Sequence, residues 1–166
     1  MTKPKLLYHG SPACALQIIE PRQKNIRHSN EGPVVFANEQ FEFALMFMSP
    51  RADDSWTFKF GHQINTDITW YYIISDEQRF TENDTGGSVY EVQSDTFYQE
   101  TDFGMRTEWV SKESVGIVKE YHFESTLRAL LEHGVNVYFV NRELFQEIKN
   151  TPGRARIEIL SKLDKK

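Results

Sequence analysis

The chain has 166 residues, of which 39% are hydrophobic and 13% aromatic, and this composition can bury one substantial core. Its formal net charge of −5 at pH 7 creates no field that would gather a polyanion, so nucleic acid is not expected as a partner. A single cysteine excludes an internal disulfide, and no apolar run approaches the roughly 20 residues of a membrane-spanning helix. We therefore expect a cytoplasmic protein that does not engage a membrane, folded as one domain over residues 1–166.

Two strands are predicted in the first quarter of the chain. Residues Lys5–Tyr8 form an apolar run that stops at a turn-forming Gly-Ser-Pro, so His9 is expected at the edge between strand and loop. After a polar stretch, Gly32 and Pro33 introduce a second apolar run, Val34–Ala37, which predicts a buried strand.

A helix is expected directly after the second strand. Asn38 is typical of a helix N-cap. Apolar residues then recur at the offsets of one helical face: Phe41, Ala44, Leu45 and Met48. The pattern ends at Ser49 and Pro50, which predicts the end of the helix there.

The rest of the chain is predicted to be mainly β, with two more helices. Apolar and β-branched runs indicate strands over residues 56–60, 69–74, 88–92, 115–123 and 137–140. Ser125 is expected to cap a second helix that Gly134 closes, and a further helix starts at Arg142. From about residue 152 the basic residues alternate with apolar and acidic ones, which predicts a solvated basic tail. These elements indicate the α+β class.

The segment Leu7–Ser11 combines a titratable side chain with an unhindered backbone. Gly10 would let a flat ligand approach the main chain, where an exposed strand end offers one donor and one acceptor to a carboxamide. The imidazole of His9 can bond a ribose hydroxyl. The alternative is a histidine at a strand end that binds no ligand.

Two further residues could contribute to such a site. Phe36 can stack on a planar heterocycle, although its apolar strand also explains it as a core residue. Glu108 follows the loop at residues 104–106 and offers a carboxylate at the start of a short apolar segment. Other glutamates compete with it for a catalytic role: Glu91, Glu100 and Glu113.

The sequence predicts no metal site. Four histidines lie outside the first motif and have neither the spacing of helical metal pairs nor a neighbouring cysteine: His28, His62, His122 and His133. Cys14 is expected to be a small buried thiol rather than a nucleophile.

Four short motifs occur in the order typical of one superfamily. They are Tyr8-His9-Gly10-Ser11, Val35-Phe36-Ala37-Asn38 before the predicted helix, Val89-Tyr90 before Thr96-Phe97, and Glu108-Trp109-Val110-Ser111 before Val115. Through this order, over roughly residues 5–123, the chain resembles the ADP-ribosyltransferase-like superfamily. The resemblance implies a split β-sheet, mixed or antiparallel, with a few flanking helices. It also implies NAD as a substrate and no metal.

The resemblance implies roles for individual residues. His9 matches the family's pocket histidine, which bonds a ribose of NAD, and Gly10 matches the residue whose backbone holds the nicotinamide amide. Ser11 would line the same loop. Phe36 falls where the family commonly has a tyrosine that stacks on nicotinamide, so stacking is kept and the hydroxyl is lost. Glu108 falls near the catalytic acid, whose carboxylate stabilises positive charge on the ribose as the bond to nicotinamide breaks. The expected catalytic residues are therefore Glu108 and His9, with His9 acting by orientation.

The implied function is transfer of ADP-ribose from NAD to water or to an acceptor, either a protein or a small molecule. The hydroxyl missing at Phe36 motivates a second hypothesis, a catalytically silent nucleotide-binding or protein-interaction module. A third hypothesis is a phosphate-transferring relative that acts on RNA ends. The acidic balance disfavours it, because such a substrate needs several phosphate contacts. No oligomeric state is indicated.

Overall fold

A computed structural model of the protein describes residues 3–23, 32–49, 53–99 and 107–166. The strands in these residues are β1 (Leu6–Ser11), β2 (Ile18–Ile19), β3 (Val35–Asn38), β4 (Thr57–Ile64), β5 (Asp67–Ile74), β6 (Gly87–Gln93), β7 (Glu108–Ser111), β8 (Val115–Phe123) and β9 (Asn136–Phe139). The helices are α1 (Phe41–Leu45), α2 (Glu77–Glu82), α3 (Thr126–Glu132), α4 (Arg142–Asn150) and α5 (Gly153–Leu160). This content confirms the α+β class.

The chain divides into two compact units, each with its own sheet. Residues 1–48 and 87–123 form the first unit, and residues 49–86 and 124–166 form the second. The sheet of the first unit has the strand order β2-β8-β6-β1-β3-β7, with every neighbouring pair antiparallel. The sheet of the second unit has the order β4-β5-β9, and its β5–β9 pair is parallel. The expectation of one domain over residues 1–166 stays a prediction.

Most of the strands predicted from apolar runs are present. The runs at 56–60, 69–74, 88–92 and 137–140 correspond to β4, β5, β6 and β9 with shifted ends, and the run at 115–123 corresponds to β8. Local alternation of apolar and polar residues identifies a strand well, because it reflects which face of the sheet is buried. The ends shift because they depend on the neighbouring strand.

One face of the sheet in the first unit carries an apolar core. Residues opposite each other in an antiparallel ladder share a face, and Leu7 on β1 lies opposite Val92 on β6. Both are fully buried. The same cluster contains Ile19, Val35, Ala37, Tyr90, Phe97, Trp109 and Val115. The side chains of the odd-numbered residues of β1 and β3 thus point towards this core.

The first strand is longer than its sequence predicts. β1 continues to Ser11, which lies opposite Ser88 near the start of β6. His9 therefore lies within the strand, and its predicted position at the edge between strand and loop is wrong. Gly10 and Ser11 favour a turn locally, but the ladder with β6 holds them extended.

The helix after β3 is shorter than predicted and starts later. Asn38 is the last residue of β3, opposite Glu108, and the N-cap of α1 is Gln40. The Oδ1 atom of Asn38 accepts a hydrogen bond from the N–H of Gln40 at 2.8 Å, which forms a turn between strand and helix. Pairing with β7 keeps Asn38 extended, so its cap-like side chain serves the turn. The predicted end at Pro50 lies outside the described residues.

Side-chain caps begin two helices of the second unit, and the cap at Ser125 was predicted. The Ser125 hydroxyl accepts from the N–H of Arg128 at 3.2 Å, and Oδ1 of Asn141 accepts from the N–H of Leu144 at 2.9 Å. The carboxylate of Asp84 also accepts from the first two N–H groups of α3. Within the described ranges, no helix combines the length and apolar character needed to cross a membrane.

The basic segment from about residue 152 is helical rather than a tail, although its basic residues other than Arg156 are exposed as expected. Residues Gly153–Leu160 form α5, and Leu160 is buried in an apolar cluster of the second unit. The guanidinium carbon of Arg156 lies 4.7 Å from the ring centre of Phe58 and 4.6 Å from that of Phe60. Its Nε donates to a carbonyl of the last turn of α4 at 2.9 Å. An aromatic surface and unsatisfied carbonyls thus order residues whose charge pattern is typical of a tail.

Replacing Arg156 tests this docking of α5. We expect Arg156→Ala to lower the free energy of unfolding by about 1–3 kcal/mol, because ring stacking and a charge-assisted hydrogen bond are lost together. The matched control is Arg154→Ala on the same helix. The Arg154 side chain is 91% exposed and, among the described residues, forms an ion pair with Glu158, so we expect a change below about 0.5 kcal/mol. Urea unfolding measures the free energy of unfolding of both variants. An equal loss in the two would show that Arg156 does not hold α5 in place.

Candidate functional site

A cavity of about 560 Å³ opens in the first unit. Its walls are β1, β3, α1 and the segment at residues 15–20, together with the first residue of β7. The lining includes every residue that the sequence assigns to the site: His9, Gly10, Ser11, Phe36 and Glu108. Residues up to about 100 positions apart in the chain therefore meet at one cavity. Their roles in binding and catalysis stay predictions.

The cavity lies where β1 and β3 separate. In the described residues these two strands pair only at Tyr8 and Asn38. The N–H of Ser94 donates to the carbonyl of Lys5 at 3.1 Å, so odd-numbered residues of β1 bond to β6. Even-numbered residues point the other way, and after Tyr8 the next of these is Gly10. Its N–H and C=O groups are thus directed into the gap between the strands.

His9 spans this gap with its side chain. Its Nδ1 lies 2.7 Å from the backbone carbonyl oxygen of Phe36 on β3. Because a carbonyl only accepts hydrogen bonds, Nδ1 carries the proton and donates. In the neutral ring Nε2 is then an acceptor. The imidazole therefore links two strands beyond the end of their ladder, with a defined tautomer.

Gly10 is also required by the packing of α1. A Cβ atom built on Gly10 would lie 1.8 Å from the carbonyl oxygen of Ala44 and 3.2 Å from Cβ of Phe47. Both contacts come from α1 and the turn after it, which cover this face of β1. A side chain at position 10 would force the helix away from the strand.

Phe36 and Glu108 lie on the face of the sheet opposite to His9. Glu108 pairs with Asn38, and Phe36 lies between the core residues Val35 and Ala37 on β3, so both face away from the core. His9 shares the core face because it lies opposite Tyr90. Only a group within the gap can contact side chains from both faces.

Sequence reasoning missed two rings that α1 and its C-terminal turn contribute. Phe43 and Phe47 line the cavity, with ring centres 5.1 Å apart and planes at 68°. Phe47 is 41% exposed, so part of its ring is accessible to a ligand. The helical pattern starting at Phe41 selected the buried side of this segment, and Phe47 falls outside that pattern.

Charged residues of the lining were also missed. Among the described lining residues, Arg22 supplies the one guanidinium. Glu20 supplies a carboxylate in addition to that of Glu108. Arg22 is held near β3 because its N–H donates to the carbonyl of Val34 at 3.1 Å. No local pattern marks it, since it stands alone in a polar stretch. A guanidinium in the lining can pair with phosphate oxygens.

Tyr8 adds a neutral hydroxyl to the cavity. Burial, followed by the charge of Glu91 and the proximity of Tyr121 and Glu42, raises the pKa of the Tyr8 phenol above its ordinary value. The group is therefore protonated at neutral pH and can donate a hydrogen bond. Its ring meets that of Phe41 edge to face, at 5.3 Å between centres.

Two of the three competing glutamates lie elsewhere. Glu91 accepts a hydrogen bond from the hydroxyl of Tyr121 at 3.3 Å, and Glu113 is exposed in the turn between β7 and β8. Neither lines the cavity. Glu100 and the loop at 104–106 lie outside the described residues. Glu108 is therefore the candidate from the sequence that the cavity favours.

Ser11 and its neighbours shape one wall. The Ser11 hydroxyl accepts from the N–H of Ala13 at 3.1 Å, which bends the chain after β1. The hydroxyl of Tyr90 donates a hydrogen bond to the carbonyl of Ala13 at 2.9 Å and accepts one from the N–H of Leu16 at 3.3 Å. Cys14 within this segment is exposed, so its prediction as a buried thiol is wrong.

Comparison with known proteins gives no match: no protein-family model, no curated protein and no solved structure is significantly similar to the chain.

The close approach of α1 to β1 predicts a strong dependence on Gly10. We expect Gly10→Ala to lower the free energy of unfolding by about 1–3 kcal/mol, because the new methyl group meets backbone atoms of α1. Gly116→Ala on β8 is the matched control. A Cβ there meets nothing within 4 Å, so we expect no loss and a gain of up to about 1 kcal/mol. If thermal and urea unfolding give Gly10→Ala the same stability as the control, the packing argument fails.

Proposed function

We propose that the protein binds NAD in this cavity and transfers ADP-ribose from it to water or to an acceptor, on an ADP-ribosyltransferase-like fold. One observation carries the proposal: the five residues singled out by motif order in the sequence all line one cavity. The volume of about 560 Å³ is within the usual range of small-molecule sites.

The backbone of Gly10 suits the amide of nicotinamide. A carboxamide presents one acceptor oxygen and an NH₂ donor group, and the C=O and N–H of a single strand residue complement both. These groups of Gly10 are directed into the gap where β1 and β3 separate. Rings at Phe36, Phe43 and Phe47 offer apolar surface to the heterocycle.

His9 and Arg22 suit the sugar and the phosphates. With Nδ1 donating to the carbonyl of Phe36, the His9 ring in its neutral form accepts a hydrogen bond from a ribose hydroxyl at Nε2. Arg22 supplies positive charge for the pyrophosphate in a lining that also carries two carboxylates. These groups hold NAD and do not transfer protons.

Glu108 is the residue for the chemical step. When the bond between ribose C1′ and the nicotinamide nitrogen breaks, its electron pair goes to the ring, and positive charge develops on the sugar. A carboxylate next to the sugar stabilises that charge. The acceptor oxygen or nitrogen then bonds to C1′ and gives up its proton, for which a carboxylate of the lining such as Glu108 can serve as base.

The residue at position 36 favours one alternative. A phenylalanine keeps the ring and lacks the hydroxyl of the tyrosine common in the family, so the cavity could hold nucleotide without turnover. A catalytically silent nucleotide-binding module is thus the second candidate function. The two candidates differ in whether nicotinamide is released.

The test is incubation with NAD, in which free nicotinamide and thermal stabilisation are followed together. We expect nicotinamide release by the unaltered protein and a loss of about 100-fold or more in Glu108→Gln, because the developing charge loses its carboxylate. Stabilisation by NAD should persist in this variant. Glu113→Gln, at an exposed site outside the cavity lining, is the control and should keep its rate.

Three other outcomes of this experiment would change the conclusion. A full rate in Glu108→Gln would remove Glu108 from the mechanism. Stabilisation of the unaltered protein without nicotinamide release would support the silent module. If NAD gives neither effect, the proposed function is wrong.

Phosphate recognition by Arg22 can be tested separately. We expect Arg22→Gln to weaken binding of NAD about 10-fold, because a charge-assisted contact with phosphate is lost, and to leave binding of nicotinamide riboside unchanged. Lys112→Gln is the control, since Lys112 is exposed and does not line the cavity. Equal weakening for both ligands in titration calorimetry would show that Arg22 does not recognise phosphate.

A further inference from the structure

Three residues with metal-binding side chains meet on the surface of the first unit. Cys14 follows β1, and Glu120 and His122 are two apart on β8, so the latter two project from the same face of that strand. One ligand atom from each residue lies within 4.8 Å of the others. None of the three lines the cavity. The cluster therefore does not depend on what the cavity binds.

The Glu120 carboxylate is fixed by two hydrogen bonds and a third close contact. Its Oε1 accepts from the hydroxyl of Ser88 at 2.6 Å and from the N–H of Ala15 at 2.9 Å. The Tyr90 hydroxyl lies 3.1 Å from the same oxygen and shares its one proton between Oε1 and the carbonyl of Ala13. In the described part of the chain, every hydrogen bond that Glu120 accepts goes to Oε1. The second oxygen, Oε2, is thus oriented and available to a cation.

Ser88 also defines the tautomer of His122. Ser88 is fully buried, and its single hydroxyl proton is donated to Glu120. The contact of 3.3 Å between Ser88 Oγ and His122 Nδ1 therefore needs the proton on Nδ1. In the neutral ring Nε2 then carries the lone pair, and neutral imidazole is the form that binds metals. One buried hydroxyl thus prepares both ligands on β8.

The backbone on each side of Cys14 is held in place. The carbonyl of Ala13 accepts from the Tyr90 hydroxyl at 2.9 Å, and the N–H of Ala15 bonds to Glu120. Ala15 has a φ of 55°, in the left-handed region, which turns the chain sharply after the cysteine. The thiol is thereby kept beside the two β8 side chains.

We propose that Cys14, Glu120 and His122 bind Zn²⁺, with water at the fourth position. Thiolate, imidazole and carboxylate are the usual zinc ligands, and hard cations such as Mg²⁺ avoid thiolates. Tetrahedral bonds of about 2.0–2.3 Å place ligand atoms about 3.6 Å apart. Exposed side chains reach that spacing by moving about 1 Å. As zinc binds, the S–H bond of Cys14 breaks, the proton goes to solvent, and the thiolate forms the bond to Zn²⁺.

Cobalt is a spectroscopic probe for this site, because a bond between thiolate and Co²⁺ gives a charge-transfer absorption band. The full chain, stripped of metal with a chelator and kept reduced by a phosphine, is titrated with Co²⁺ and then with Zn²⁺. We expect the band to saturate at one equivalent of Co²⁺ and to vanish when Zn²⁺ displaces it. Without such a band, the proposed site does not exist.

Variants assign the ligands, with Zn²⁺ affinity measured by competition with a chromophoric chelator. We expect Cys14→Ser to abolish the cobalt band, and Cys14→Ser and His122→Gln each to weaken Zn²⁺ binding about 100-fold or more. Ser88→Ala removes only the support behind the ligands and should weaken it about 10- to 100-fold. His62→Gln on β4 is the matched control and should bind Zn²⁺ as the unaltered protein does.

The stability of each variant without metal separates ligand loss from misfolding. Cys14 and His122 are exposed, so both variants should melt near the unaltered protein without metal and lose only the stabilisation by Zn²⁺. Unchanged Zn²⁺ affinity in Cys14→Ser, or equal losses in His62→Gln and His122→Gln, would overturn the proposal.

Discussion

The hydrogen bond between the His9 imidazole and the carbonyl of Phe36 joins β1 and β3 of the first unit beyond the pair at which their ladder ends. β1 is fully paired with β6 on one side but meets β3 only at Tyr8 and Asn38 in the described residues. Beyond that pair the strands separate, and a carbonyl of β3 would lack its strand partner. The imidazole supplies the donor at 2.7 Å, so the sheet stays joined while a cavity forms between its strands. The backbone of Gly10 faces this cavity for the same reason.

A second constraint acts through Tyr90 and Glu120. Their side chains form hydrogen bonds with backbone groups of the segment that follows β1. This segment forms one wall of the cavity. The same contacts place Cys14 beside Glu120 and His122. The wall of the nucleotide site that we propose and the metal site that we infer thus share one scaffold, although different atoms would hold the two ligands.

Local sequence patterns located most of the strands and the Ser125 cap of α3, because side-chain capping and the alternation of apolar and polar residues depend on neighbouring residues. They failed where a distant segment overrides local preference. Gly10 and Ser11 favour a turn but are held in β1 by β6, and Asn38 resembles a helix cap but ends β3 because it pairs with β7. The residues from 153 onwards were predicted to be solvated, but Arg156 and Leu160 find an aromatic surface and a buried cluster. A short stretch of sequence does not reveal contacts with residues that are distant in the chain.

The sequence by itself determined the α+β class, most strand positions and a set of candidate site residues with the chemistry that their types permit. Only the tertiary structure decided that His9, Gly10 and Glu108 line one cavity. It also added Arg22 and Phe47 to that cavity, and brought Cys14 to two residues more than 100 positions away in the chain. The physical reason is the range of the interactions. Propensity, capping and alternation act over a few residues, whereas a cavity or a ligand cluster is made by strand pairing and packing between distant parts of the chain.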